Sequence, residues 1–178
     1  MLIFVLLLLV ATPAAAEDKC GEARPKDADV RVATDARLIK IFNRVVQKSG
    51  IDPAPTLCQA SRTQRGQVPM VYLRSRVAIF PDRAVAEMTD VEMEGVIAHE
   101  LGHYFLPLPQ GSIGWLQYLA IESRTDAIGS RWVGIEPIIA AINSFRRFQV
   151  WESAEALAAY ENEVAVRTRT LRQLKAEK

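Results

Sequence analysis

Apolar positions recur along this chain with two periods, one helical and one strand-like. Leu38, Ile41, Phe42 and Val45 share one helical face, Thr34 or Asp35 can cap the start, and Gly50 supplies a stop. A helix to about Lys48 is therefore expected, with that stripe in the core. Asp52-Pro53-Ala54-Pro55 predicts a rigid turn, and residues 61–66 a polar loop. The period then shortens: Val68 to Leu73 and Arg76 to Phe80 predict two strands joined near Arg74-Ser75, with Pro69 arguing for an edge position. Pro81-Asp82 opens a short helix to about Met88. Thr89-x-x-Glu92 is a capping-box signature before an apolar run, predicting a helix over about 90–105. Gly95, Ala98 and Gly102 within it are small. A helical glycine costs about 1 kcal/mol relative to alanine, so a closely approaching partner is expected. After a Pro/Gly turn at 107–114, helices are expected at 115–132, 137–148 and 153–174, the last a packed terminal helix with an Ala/Leu face. The chain is thus read as α+β and mostly α, with a small edge sheet at about 68–80 packed on the helix at 90–105.

The first sixteen residues follow another pattern. Leu2 to Val10 is an unbroken apolar run, Thr12-Pro13 breaks it, and Ala14-Ala15-Ala16 offers an A-x-A cleavage site, the order of a secretory signal peptide. About ten to eleven apolar residues fall short of the ~20 that span a bilayer. Residues 1–16 are expected to be removed and 17–178 to form a single domain with no stable membrane span, exported to a periplasmic or extracellular location. Cys20 and Cys58, the only two cysteines, suit an oxidising compartment and form a candidate disulfide tying the mature N-terminus to the domain. With 22 basic residues against 21 acidic, no basic stripe points to a nucleic-acid partner.

The chain's only two histidines lie in His99-Glu100-Leu101-Gly102-His103. Residues i and i+4 stack on one helical face, so two imidazoles at this spacing can grip one zinc ion, and Glu100 can hold and deprotonate a metal-bound water. A catalytic zinc needs a third protein ligand. Extending the motif to H-E-x-x-H-x-x-G-x-x-H would require glycine at 106 and histidine at 109, where this chain has Leu106 and Pro109. With no further histidine and both cysteines far upstream, a carboxylate is expected instead. Glu122 and Asp126 share one face of the next helix: Glu122 could bind zinc while Asp126 accepts a hydrogen bond from a ligand histidine. The competing reading is two solvated carboxylates with Arg124 as an ion partner.

Glu94-Gly-Val-Ile-Ala-His-Glu-Leu-Gly-His103 followed by Glu122-Ser-Arg-Thr-Asp126-Ala-Ile-Gly129 resembles the gluzincin metallopeptidases, and among them the HtpX-like and CAAX prenyl protease-like peptidase family. The resemblance covers roughly residues 34–148 and extends to Met88-Thr-Asp-Val-Glu-Met-Glu-Gly and to the region near 68–80, where such enzymes would lay an extended substrate. It implies a zincin-like fold and a zinc endopeptidase acting on proteins or peptides. One Zn2+ per chain would be held by His99, His103 and Glu122, with Glu100 as base. Thr125 stands where the family usually has alanine. Many members also carry a later histidine or arginine that stabilises the oxyanion; Arg167, Arg169 and Arg172 are the candidates here, and nothing in the sequence chooses among them. The family's common transmembrane helices have no counterpart in this chain. A second function class is a non-catalytic, zinc-containing binding or chaperone-like module of the cell envelope on the same fold. Glu100 separates the two, because a structural zinc site has no need of a base. Oligomeric state is left open.

Overall fold

The computed structural model describes residues 19–22, 29–64, 66–107, 112–149 and 151–176; the expected signal peptide lies outside them. Four strands, β1 (Val30–Val32), β2 (Thr56–Ala60), β3 (Met70–Tyr72) and β4 (Val77–Pro81), form one mixed sheet in the order β1-β2-β4-β3. The helices are α1 (Ala36–Ser49), α2 (Asp82–Glu87), α3 (Asp90–Gly102), α4 (Trp115–Val133), α5 (Ile135–Ser144) and α6 (Ala154–Ala176), with 3-10 turns at His103–Phe105 and Phe145–Arg147. The result is the expected mostly α, α+β architecture, consistent with a zincin-like fold.

Helix α1 starts and stops where its sequence requires. The Asp35 carboxylate accepts from the Leu38 amide at 2.7 Å, and Gly50, at φ 69°, donates its N–H to Val46 O at 3.1 Å. That left-handed conformation is one in which glycine carries no Cβ penalty. Leu38, Ile41, Phe42 and Val45 are all buried.

The sheet is larger than the pattern at 68–80 foretells. Strands β3 and β4 form the expected hairpin, with Val71 opposite Ala78, and β3 is an edge strand, as Pro69 suggested. Strand β4 also runs parallel to β2, which pairs antiparallel with β1. Neither β1 nor β2 has a strong local pattern. The first is three residues long, and the second contains Gln59 and Ala60, poor matches for strand preference. Tertiary contacts make β2 the inner strand. Gln59 is buried and its Oε1 accepts from the amides of Thr34 at 2.8 Å and Asp35 at 3.0 Å, tethering the entry of α1 to the sheet.

Alternation gives the sheet two covered faces. Ala78 and Phe80 point into the helical core, with Leu57 packed against it. Cys58, Ala60, Val77 and Ile79 point the other way and cluster with Cys20, to which Cys58 is disulfide-bonded across a Cα–Cα distance of 5.9 Å. The bridge thus pins the N-terminal segment over an apolar sheet face.

Helix α3 is the hub of the helical layer, between α1, α4 and α5. Its capping box is formed, with Thr89 N donating to Glu92 Oε2 at 2.8 Å. Met93, Val96, Ile97 and Leu101 are fully buried, each contributing roughly 1.5–3 kcal/mol of hydrophobic stabilisation. The small residues do what their cost implied: a Cβ on Gly95 would lie 1.9 Å from Pro137 O, and one on Gly102 would lie 2.9 Å from Thr125 O. Helix α5 begins at Ile135, ahead of the expected Pro137. A proline in the first turn is tolerated because that N–H has no intrahelical acceptor. Among the described residues no helix is long and apolar enough to cross a membrane.

Candidate metal centre

The last turn of α3 carries His99 and Glu100, the following turn carries His103, and the middle of α4 carries Glu122. The close passage of α4 over Gly102 and of Gly129 over Ala98 brings the helices together here; a Cβ on Gly129 would meet Ala98 O at 2.9 Å. His99, His103 and Glu122 each offer a ligand atom, all within 4.8 Å of one another, in an arrangement that could hold a metal ion. His99 Nε2 is 3.2 Å from Glu122 Oε2 and His103 Nε2 is 3.8 Å from Oε1, so both imidazoles aim the same nitrogen at one carboxylate. The rings stand nearly perpendicular, at 85°, with centroids 5.0 Å apart. Such a helix-packed His-His-Glu triad fits a zincin-like metalloprotease active site.

Each remaining ring nitrogen has its own partner. Asp126 Oδ1 lies 2.8 Å from His99 Nδ1. An ionised carboxylate only accepts, so Nδ1 carries the proton, the arrangement expected when Asp126 orients a ligand histidine. Behind Asp126 sits Arg167 of α6, which donates through Nε to Oδ2 at 2.7 Å and through NH2 to Oδ1 at 2.8 Å. Its NH1 reaches Glu163 Oε1 at 2.7 Å and lies 3.4 Å from Glu122 Oε2.

Four carboxylates are buried here, those of Glu100, Glu122, Asp126 and Glu163, against one buried guanidinium, Arg167. That is a formal balance of −3 with both imidazoles neutral, offset in part by the proton on His99 or by a divalent cation in its place. Ionised groups are rarely buried in such imbalance without a cation or a proton to offset it. The titration of the site carries the same imprint. Burial opposes a charged His99, yet hydrogen bonds to Asp126 and Glu122, and their charges, push its pKa up to about 10. Burial would raise Glu122, but the hydrogen bond and charge of His99, with Arg167 and His103, hold it down at about 2. Asp126 is likewise held below the usual carboxylate range, Arg167 and His99 overriding its burial. His103 is lowered to about 4 by burial and by the charge on His99, so it stays neutral with a lone pair to offer. The donor set, two imidazoles and a carboxylate, suits zinc.

The centre lies in a cleft of about 670 Å³. Val68, Pro69, Met70, Val71 and Leu73 line it on and beside β3, while Trp115, Tyr118, Trp151 and Tyr160 line it from the helical layer and the segment before α6. His99, Glu100, His103 and Glu122 all face this cleft.

The structure separates the three arginines that the sequence left undivided. Arg167 reaches the centre, with three of its five N–H donors engaged by Asp126 and Glu163. Arg169 and Arg172 line another groove, beside Ile139 and Asn143 of α5. Glu163 was not foreseen. The buried face of α6 is Tyr160, Glu163, Arg167 and Leu171 rather than an Ala/Leu stripe. An i,i+4 Glu–Arg pair interrupting the apolar face was the available signal. In sequence Thr125 marks only a departure from a family pattern, whereas in the fold its Oγ1 lies 3.3 Å from His103 Nδ1. No protein-family model, no curated protein and no solved structure matches the chain.

Proposed function

We propose that this chain is an exported zinc-dependent endopeptidase. The observation that carries the reading is the conjunction of the metal-capable triad with Glu100, the residue after His99, in a cleft also lined by β3, an edge strand among the described residues. In it, His99, His103 and Glu122 hold the metal and Asp126 orients His99. When bound, zinc supplies Lewis acidity, lowering the pKa of a coordinated water toward about 7 and polarising an amide carbonyl. Glu100 takes the proton from the attacking water and delivers it to the leaving amine. An extended peptide adds to the unpaired side of β3 by backbone hydrogen bonds, and the apolar lining from Met70 to Trp151 favours large apolar side chains near the scissile bond. The motifs on α3 and α4 resemble those of the HtpX-like and CAAX prenyl protease-like gluzincins. Residues 1–16 act as a cleaved signal, and the Cys20–Cys58 bridge suits the oxidising compartment to which it leads.

The test is cleavage of a peptide library by the zinc-loaded chain from Glu17, read by mass spectrometry beside Glu100→Gln. Cuts made only with Glu100 intact are expected, clustering at large apolar residues. A folded, zinc-bound protein that cuts nothing would overturn the peptidase reading.

A further inference from the structure

The two histidines are held by unlike partners. His99 leans on a carboxylate, itself fixed by a guanidinium, whereas His103 Nδ1 meets the neutral hydroxyl of Thr125 at 3.3 Å. Thr125 is fully buried, and its hydroxyl donates to the carbonyl of Ile121, one turn earlier in α4, at 2.9 Å. A hydroxyl has a single proton, so what it presents to His103 is a lone pair. Only a ring N–H can complete that contact.

The hydroxyl has little freedom to do otherwise. A β-branched side chain in a helix is stiff at χ1, and threonine there settles its Oγ1 on a preceding carbonyl. Its other branch is fixed by packing: Thr125 Cγ2 lies 3.0 Å, and Thr125 O 2.9 Å, from where a Cβ on Gly102 would be. Gly102 immediately precedes His103, so the contact that brings the helices together also sets the hydroxyl against the ring.

We propose that Thr125 is a positioning residue for His103, holding it in the Nδ1–H tautomer and leaving Nε2 to face Glu122 and the metal. The inference rests on the zinc reading of the triad. Imidazole in water favours the opposite, Nε2–H tautomer, which would put a proton where the metal must bind. A neutral partner also adds no further negative charge to a cluster already rich in carboxylates.

Because the chain has only two histidines, both rings can be followed in one long-range 1H–15N spectrum of the 15N-labelled, zinc-free protein at pH 7.5. His103 is expected to show a protonated Nδ1 and a bare Nε2. Thr125→Val keeps the branched shape without the hydroxyl; it should shift His103 toward Nε2–H and weaken zinc binding on the order of tenfold, as loss of such partners does elsewhere. Thr125→Ser keeps the hydroxyl without the methyl and should retain the tautomer, with zinc affinity closer to the parent than that of the valine variant. A role in packing alone predicts the reverse ranking. His103 protonated on Nε2 in the parent, or a valine variant with unchanged tautomer and affinity, overturns the proposal. The spectrum is read without metal, so a parent chain that binds no zinc would sink the zinc reading separately.

Discussion

Arg167→Met is the most informative single perturbation of the buried network. Methionine fills much of the same space without charge or hydrogen-bond donors. Asp126, at 0% exposure, then loses two hydrogen bonds, of 2.7 and 2.8 Å, and Glu163 loses one of 2.7 Å. Removing one partner of a buried ion pair costs about 3–5 kcal/mol, because the other charge is left uncompensated. That is a large part of the roughly 5–15 kcal/mol that holds a domain together. At about 2–4 °C per kcal/mol for a domain of this size, the zinc-free variant should melt some 6–20 °C below the parent at pH 7.5. The pH dependence follows from the sign of the shift at Asp126. In the parent its pKa is depressed, so its stabilisation is present above the unfolded value of about 3.9 and is lost as pH falls. Without Arg167 the effect of burial gains weight and the pKa rises, so the deficit should narrow at pH 5, where the carboxyl can accept a proton. Asp126→Asn combined with Arg167→Met should recover part of the loss at pH 7.5. Thermal and urea unfolding by circular dichroism measure all three proteins. A single-variant deficit under about 1 kcal/mol, or one that neither pH 5 nor the second substitution relieves, would refute an electrostatic role for Arg167.

On the proposed zinc reading, metal binding would displace the proton that Asp126 and Glu122 hold on His99 up to about pH 10, whereas His103, at about 4, and Glu122, at about 2, are already in forms that can ligate. Zinc affinity should therefore climb about tenfold per pH unit between pH 6.5 and 8.5. Calorimetry in buffers of different ionisation enthalpy reads both slope and proton release, and a flat profile contradicts the assignment. In the zinc-free protein the raised His99 pKa gives stability that is complete below about pH 6.5 and fades as pH climbs toward 10, so urea midpoints should fall over that range. Gly95→Ala drives a Cβ to 1.9 Å from Pro137 O and should cost about 1–3 kcal/mol or more by overpacking; a melting temperature equal to the parent's would show that α3 and α5 have room to part. Reducing the Cys20–Cys58 bridge, which spans 38 residues, should cost about 2–4 kcal/mol, and an unchanged urea midpoint under reductant would mean that the bridge adds nothing to stability.

Local chemistry was legible in the chain where it is written in short-range spacing. The cap of α1 at Asp35, the stop at Gly50 and the capping box at Thr89 are decided within four residues, and all three are in place. The metal-capable pair on α3 follows from one helical turn. The carboxylate pair on α4 needed only elimination and the same i,i+4 rule. Features set by distant contacts were not legible. Strand β2 owes its existence to neighbours on both sides, and buried Gln59 serves the start of another element. Glu163 carries no local mark of burial, and Arg167 is not set apart from Arg169 and Arg172 until α6 is packed against α4. Thr125 is the instructive case: as a residue type it marked only a departure from a pattern, and its contact with His103 exists because α4 crosses α3 at Gly102.

In the proposed function, His99, His103 and Glu122 bind one zinc and leave a position open to water. Zinc K-edge absorption on protein carrying one equivalent of metal, measured beside Glu122→Ala, bears on it most directly. Two imidazole nitrogens and oxygen ligands around a single tightly held zinc are expected, with the carboxylate contribution and most of the affinity lost in the variant. A parent protein that holds no zinc, or a Glu122→Ala protein with the same affinity and the same spectrum, would contradict it.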